Sequence, residues 1–313
     1  MAHFNPKLLE KLVQIRGTSG DEAEIKAFIL NYIEENKHNW KSDVKIYSGD
    51  DFQDCIILVF GKPKTAIYAH IDTIGFTVGY HNNLIKIGSP KIKDGTILVG
   101  ADSQGEIETE IMVIENEEEE IQLKYVYNRP IDRGTNLTFK PHFVLTKEYV
   151  QSPYLDNRLG VLNALTIAKD IENGAIVFST YEEHGGGSVG FLARFLYDKY
   201  AVRQALISDI TWVTEGIQHR GGVAISMRDK SIPRRSYLNK IINIAEKYNI
   251  QYQLEVESTG GSDGSYLQRS DLPIDWCFVG APENNAHSPQ ERVFISDIEE
   301  MIKFYMVLMK ELN

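Results

Sequence analysis

The chain has 313 residues, 42% hydrophobic and 25% charged, with 24 Gly and 10 Pro, which is the composition of an ordinary folded protein and excludes a fibrous or disordered one. Its formal net charge of −11 excludes nucleic acid and anionic membranes as partners, because phosphate-rich surfaces need a basic face, and suits a protein that gathers cations. Cys55 and Cys277 are the only cysteines, each inside a β-like run, and read as buried free thiols, not as a disulfide framework.

At the N-terminus Lys7, Lys11 and Arg16 interrupt the apolar residues, so no signal-peptide core forms, and no uncharged apolar run reaches membrane-spanning length. The expected location is cytoplasmic. Residues 4–16 and 21–36 carry amphipathic helical spacing, the second with Ile25, Phe28, Ile29, Tyr32 and Ile33 on one stripe and Ser19 with Glu22 as a capping box. The period then changes. Residues 43–48, 54–60 and 65–71 are short β-branched or aromatic runs bounded by turn residues, the signature of strands.

Residues 76–150 differ from their surroundings. Turn signals at Asn82-Asn83 and Asp94-Gly95 separate short alternating strands without helical period, which predicts a small inserted all-β, barrel-like domain. Within it Ile107, Thr109, Ile111 and Val113 face Ile121, Leu123, Tyr125 and Tyr127 across an acidic hairpin tip, residues 115–120, read as a solvated turn. After Asp156 a helix, a strand at 175–180, a helix at 187–200 and a strand at 205–208 alternate. A helix at 236–249, a strand at 275–280 and a closing helix at 294–312 follow. Such alternation predicts an α/β fold with a helix-covered sheet, built from residues 1–75 and 151–313 as the catalytic domain.

Functional groups in open α/β sheets collect just past the carboxyl ends of strands. Here one strand ends in His70 and Asp72, another in Glu182 and Glu183, a third in Asp209, and a fourth leads to His287, while Asp156 joins them from a helix start. Singly, each has a structural explanation, as a core histidine, an N-cap or a turn former. Together they do not, because a buried carboxylate cluster is costly unless a cation compensates it. Three ligand carboxylates, two divalent cations and one hydroxide form a neutral set. Imidazole and carboxylate ligands suit zinc and also accept cobalt or manganese, and a bridging Asp156 gives each ion three protein ligands. Asp72, placed beyond His70 on the same side of the strand, is positioned to orient the imidazole, and Glu182, next to a ligand, to serve as the base in two-metal hydrolysis.

The segments HIDTIGF (70–76), LDNRLG (155–160), TYEEHGGGSVG (180–190), SDIT (208–211) and AHSPQE (286–291), in this order, resemble the motifs of the glutamyl and deblocking aminopeptidases, whose best known members form hollow tetrahedral particles. GGSDG (260–264) resembles that family's segment ahead of its last ligand, and the likeness spans the whole chain. The resemblance implies that His70 and Asp209 bind one ion, that Glu183 and His287 bind the other, and that Asp156 bridges them. It also implies Asp72 as the orienting carboxylate and Glu182 as the general base. It further implies an aminopeptidase acting on peptides with a free N-terminus, a phosphorylase/hydrolase-like α/β/α sandwich, and a β insertion through which homo-oligomers assemble. Thr73 stands where the family usually has Glu, and His184 with Gly185, Gly186 and Gly187 where Val-Gly is usual; the insertion is short for the family. His184 is read as a substrate or ligand-supporting contact or a plain loop histidine, and Asp263 as an N-capping turn residue or part of the substrate pocket.

Two rival readings share part of this pattern. A co-catalytic zinc deacylase or carboxypeptidase of the acetylornithine deacetylase type begins with a similar HxD motif, but resembles its own relatives in placing the smaller domain after the Glu pair, not between Asp72 and Asp156. A non-catalytic metal-binding relative would not need Glu182. Endoglucanase chemistry would require paired carboxylates without histidine ligands.

Overall fold

The computed structural model describes residues 3–115 and 121–313. The expected α/β architecture is present, with one large mixed sheet carrying helices on both faces and a second, six-stranded antiparallel sheet. At the centre of the large sheet, strands Gly174–Ser179, Thr65–His70, Gln204–Trp212 and Asp275–Asn284 run parallel in that order, and Ile56–Phe60 lies antiparallel outside Gly174–Ser179.

Alternation along these strands divides the core. Ile56, Leu58, Phe60, Ile67, Ala69, Ile176 and Phe178 face one layer, where helices Pro6–Gln14, Ala23–Asn36, Leu155–Ala168, Arg235–Lys247 and Ile295–Leu312 pack. Ile57, Val59, Ala66, Tyr68, Ala175 and Val177 face the other, covered by helices Val189–Tyr200 and Asp263–Arg269. Successive residues of a strand point to opposite faces, so a run as apolar as IILVF is stable only between two helical layers.

Helix Pro6–Gln14 starts where Asn5 caps it, its side chain accepting from the Leu8 N–H at 3.2 Å. The capping box expected at Ser19 and Glu22 does not form. Glu22 turns back to accept the Gly20 N–H at 2.9 Å, and Ser19 donates to Asp72 at 2.6 Å, because a hydrogen bond to a buried carboxylate is stronger than one to the N–H groups of a helix end.

The second sheet contains strands from Gly75–Val78 to Asn136–Phe139 and nearly closes on itself. Its two outermost strands meet through a bridge between Asn83 and Lys124 and a bond from the Tyr125 N–H to the Asn82 carbonyl. Ile111 pairs with Tyr125 and Val113 with Leu123, and Ile107, Thr109 and Ile111 point inward. Most of the acidic tip lies outside the described residues. Strands Val144–Leu145 and Tyr149–Gln151 belong to the large sheet, where Tyr149–Gln151 pairs with Arg292–Phe294. Strand Val223–Arg228 and helix Asp263–Arg269 have no counterpart in the sequence reading. Both are too short for a period to stand out locally. No helix among the described residues is long and apolar enough to cross a membrane.

Candidate metal centre

The central strands bring their carboxyl ends to one rim. His70 closes its strand in register with Ser179, which precedes the turn carrying Glu182 and Glu183. Asp209 lies opposite Gly280 on the neighbouring strand. Asp156 enters from the first turn of helix Leu155–Ala168, where the backbone leaves helical geometry at φ −79° and ψ 107°, and His287 sits in the left-handed region at φ +64°. The strand stops at His70, so Asp72 meets the imidazole from the following loop and not along a strand face; its Oδ1 is 3.4 Å from His70 Nδ1.

Two groups of possible ligands result, His70 with Asp156 and Asp209, and Asp156 with Glu183 and His287, each with its donor atoms within 4.8 Å of one another. Asp156 divides its oxygens between them. Its Oδ1 lies 3.3 Å from His70 Nε2 and its Oδ2 lies 3.2 Å from His287 Nε2. Asp209 Oδ2 is 3.6 Å from His70 Nε2 and Glu183 Oε2 is 3.4 Å from His287 Nε2. Tetrahedral ligands bonded at about 2.0–2.1 Å stand roughly 3.3 Å apart, so both groups have the spacing a divalent cation requires. Glu183 Oε1 is buried without any partner, and the remaining carboxylates here face imidazoles and each other, which is costly unless a cation is supplied. The residues fit a pair of metal ions.

The electrostatics agree. Burial and then the Asp156 charge push the Glu183 carboxyl well up, and burial with Asp156 and Glu182 does the same to Asp209. Although burial opposes the charged ring, Asp209, Asp156 and Asp72 hold the His70 imidazole well above its ordinary value. Against its own burial, Asp156 is held below the usual carboxylate range by His287 and His70. Glu182 is raised to about 8, by burial first and then by Asp263, Asp72 and Asp156, against the pull of His70. Its backbone N–H, and that of Glu183, are both held at 3.1 Å by Asp72.

The remaining motif residues find structural places. Thr73, buried, donates to the Gly17 carbonyl at 3.1 Å, so it ties the strand end to the N-terminal loop. Gly186, at φ +64°, is required because a Cβ there would lie 1.8 Å from the Tyr266 ring. His184 accepts the Gly88 N–H at 3.2 Å. Asp263 is not the N-cap; Ser262 is, and Asp263, inside the helix and buried, accepts from Ser179 and is raised to about 6 chiefly by burial.

Two residues important here are not singled out by the sequence reading. Glu291, 1% exposed, accepts the backbone N–H groups of both Asp156 and His287, at 3.2 and 3.0 Å, and so fixes two candidate ligands. Arg158, fully buried, donates to the carbonyls of Leu12, Ile15 and Ile71, joining the first helix to the loop that bears Asp72. Both residues lie in quoted motifs, and an Arg amid an apolar helix was the available signal. The centre opens into a cavity of about 450 Å³ lined by Glu182, Glu183, Asp209, Trp212, Tyr266 and His287 among others.

Residues 87–304 match the family model described as M42 glutamyl aminopeptidase. The chain is 26% identical over 334 residues to a protein of Acetivibrio thermocellus named "Putative aminopeptidase", covering 95% of this chain and 96% of that one. Among solved structures, a TET aminopeptidase from a marine sediment Thaumarchaeota archaeon superposes with TM-score 0.84 at 16% identity, over 98% of this chain and 96% of that chain. The Pyrococcus horikoshii TET1 peptidase, described as assembling into a tetrahedron or a large octahedral shell, gives 0.78 at 24% identity, over 96% and 98% of the two chains.

Proposed function

This chain belongs to the M42 glutamyl aminopeptidase family and is therefore a peptidase, and we propose that it releases the N-terminal residue of peptides with two divalent cations held in its rim. The observation that carries the two-cation reading is the division of Asp156, one oxygen toward His70 and the other toward His287. In this reading His70, Asp209 and Asp156 hold one ion, and Glu183, His287 and Asp156 the other. Zinc suits these donors best, with cobalt or manganese also accepted. Bound there, the ions would polarise the scissile carbonyl and acidify the attacking water.

The chain's own residues supply the rest. Glu182 lines the cavity but belongs to neither ligand group, and two bound cations, which oppose the burial that raises its carboxyl, would leave it ionised to take a proton from water and deliver it to the leaving amine. Asp72 holds the backbone of Glu182 and Glu183 while it orients His70. The cavity wall adds Asp229, Glu255 and Glu257 against a single Lys230, an acidic excess that favours the ammonium of a free N-terminus.

The inserted β unit, expected over residues 76–150 and formed by the strands from Gly75–Val78 to Asn136–Phe139, is in the same reading the surface through which copies of the chain associate. Exposed Ile85, Ile121 and Val126 on its strands support this, as does the assembly described for the TET1 peptidase.

The deciding experiment is hydrolysis of aminoacyl-p-nitroanilides beside N-acetylated and C-terminally blocked peptides, with zinc, cobalt and manganese in turn. Cleavage that requires a free amine and a divalent metal is expected. Release of acyl groups or C-terminal residues would point instead to the deacylase or carboxypeptidase chemistry of the acetylornithine deacetylase type.

A further inference from the structure

The two histidines of the centre are supported differently. His70 Nδ1 faces groups of its own loop, the Asp72 carbonyl at 3.2 Å and the Asp72 carboxylate at 3.4 Å, in a site only 2% exposed. His287 is reached by a segment that leaves the second sheet. After strand Leu84–Ile87 the chain turns at Gly88 and runs along the rim. The Gly88 N–H bonds His184 at 3.2 Å, Ser89 Oγ lies 2.7 Å from His287 Nδ1, and the Lys91 N–H donates to the His287 carbonyl at 2.7 Å.

The approach is close enough to constrain the sequence. Gly88 sits at φ +68°, and a Cβ there would come 2.8 Å from Ile74 and 3.0 Å from the Glu183 carbonyl oxygen. His287 itself occupies the left-handed region, a conformation that a non-glycine residue keeps only when its surroundings over-determine it. The Lys91 and Glu291 bonds hold its backbone from both sides, and Ser89 is the group facing the far nitrogen of its ring.

From this geometry we infer that Ser89 is a positioning residue for His287, so that the cation of the Asp156–Glu183–His287 group is held in part through the inserted β unit. The inference rests on the two-cation reading above. With Nε2 turned to the ligand group, the neutral ring carries its proton on Nδ1 and donates it to the Ser89 oxygen, which fixes tautomer and ring angle together. A neutral hydroxyl orients a ligand less firmly than the buried carboxylate behind His70, so the second cation is the one released first.

The test uses the full-length protein, stripped of metal and titrated with zinc against a chromophoric chelator. Wild type is expected to take up two ions with distinct affinities. Ser89→Ala should weaken the looser step about 10-fold and leave the tighter one unchanged, Ser89→Thr should restore it, and His287→Ala should abolish that same step. Thermal unfolding of the metal-free Ser89→Ala protein should match that of metal-free wild type. Equal affinities in Ser89→Ala and wild type overturn the inference, as does equal weakening of both steps with a lower metal-free melting temperature, which marks a merely structural contact. Wild type binding fewer than two ions overturns the two-cation reading, and this inference with it.

Discussion

Asp72 accepts the backbone N–H of Glu182 at 3.1 Å, from a position with no solvent exposure. The same carboxylate holds the Glu183 N–H and stands beside His70, so one side chain sets the relative position of a candidate ligand histidine and the Glu pair. Asp72→Ala strands two part-buried N–H groups, at up to about 1–3 kcal/mol each, and leaves the His70 ring only the backbone carbonyl of residue 72 as a partner. The variant should be less stable and bind zinc about 10- to 100-fold more weakly. Zinc titration with urea unfolding checks both, and unchanged affinity would remove the orienting role.

Glu182→Gln keeps size and polarity but cannot take a proton. Turnover should fall at least about 100-fold while metal content stays near wild type. Glu183→Gln should instead lose metal, because its carboxylate belongs to a ligand group. Elemental analysis alongside kcat distinguishes them, and the opposite pattern would mean that the two roles are exchanged.

Removing divalent cations should lower the melting temperature as well as the activity, because burial and mutual repulsion raise Glu183 and Asp209 when no cation compensates them. At zinc one hundredfold above its dissociation constant the stabilisation is about 2.7 kcal/mol, or roughly 4 °C for a chain of this size. Calorimetry with and without chelator measures it; identical transitions would argue against any cation in the rim.

Glu22 is 1% exposed and its carboxyl is pushed up from 4.5 to about 7, by burial above all and by the Asp72 charge, against the Gly20 N–H. A raised folded pKa means the native state holds the proton more tightly than the unfolded chain. The resulting stability is full below about pH 4.5 and lost as pH rises through about 7. Glu22→Gln should therefore gain about 1–3 kcal/mol relative to wild type between pH 5 and pH 8. Urea unfolding of the metal-loaded proteins at both values gives the answer, and a pH-independent difference would show that Glu22 does not titrate in this window.

If the inserted β unit joins copies of the chain, charges on its outer face should separate them. Ile85→Asp combined with Val126→Asp, both positions more than half exposed, should shift the protein toward monomer at micromolar concentration. Light scattering reads the mass directly. A wild-type monomer under the same conditions would defeat the proposal before any variant is made.

The sequence by itself determined the α/β class, the order of the main helices and strands, and the candidate residues His70, Asp156, Glu183, Asp209 and His287 that the fold groups at the rim. Those features are written in local patterns. IILVF and TAIYAH read as buried strands, and ligand-type side chains follow the apolar runs they terminate. What only the tertiary structure decided concerns groups whose partners are distant in the chain. Ser19 left its expected cap for Asp72, Asp263 went inside a helix beneath Ser179, and Glu291 took the N–H groups of Asp156 and His287. The reach of Ser89 to His287 across 198 positions of sequence is of the same kind. No periodicity encodes such bonds, because a buried polar group bonds whatever partner packing brings to it, and packing is settled by the whole fold.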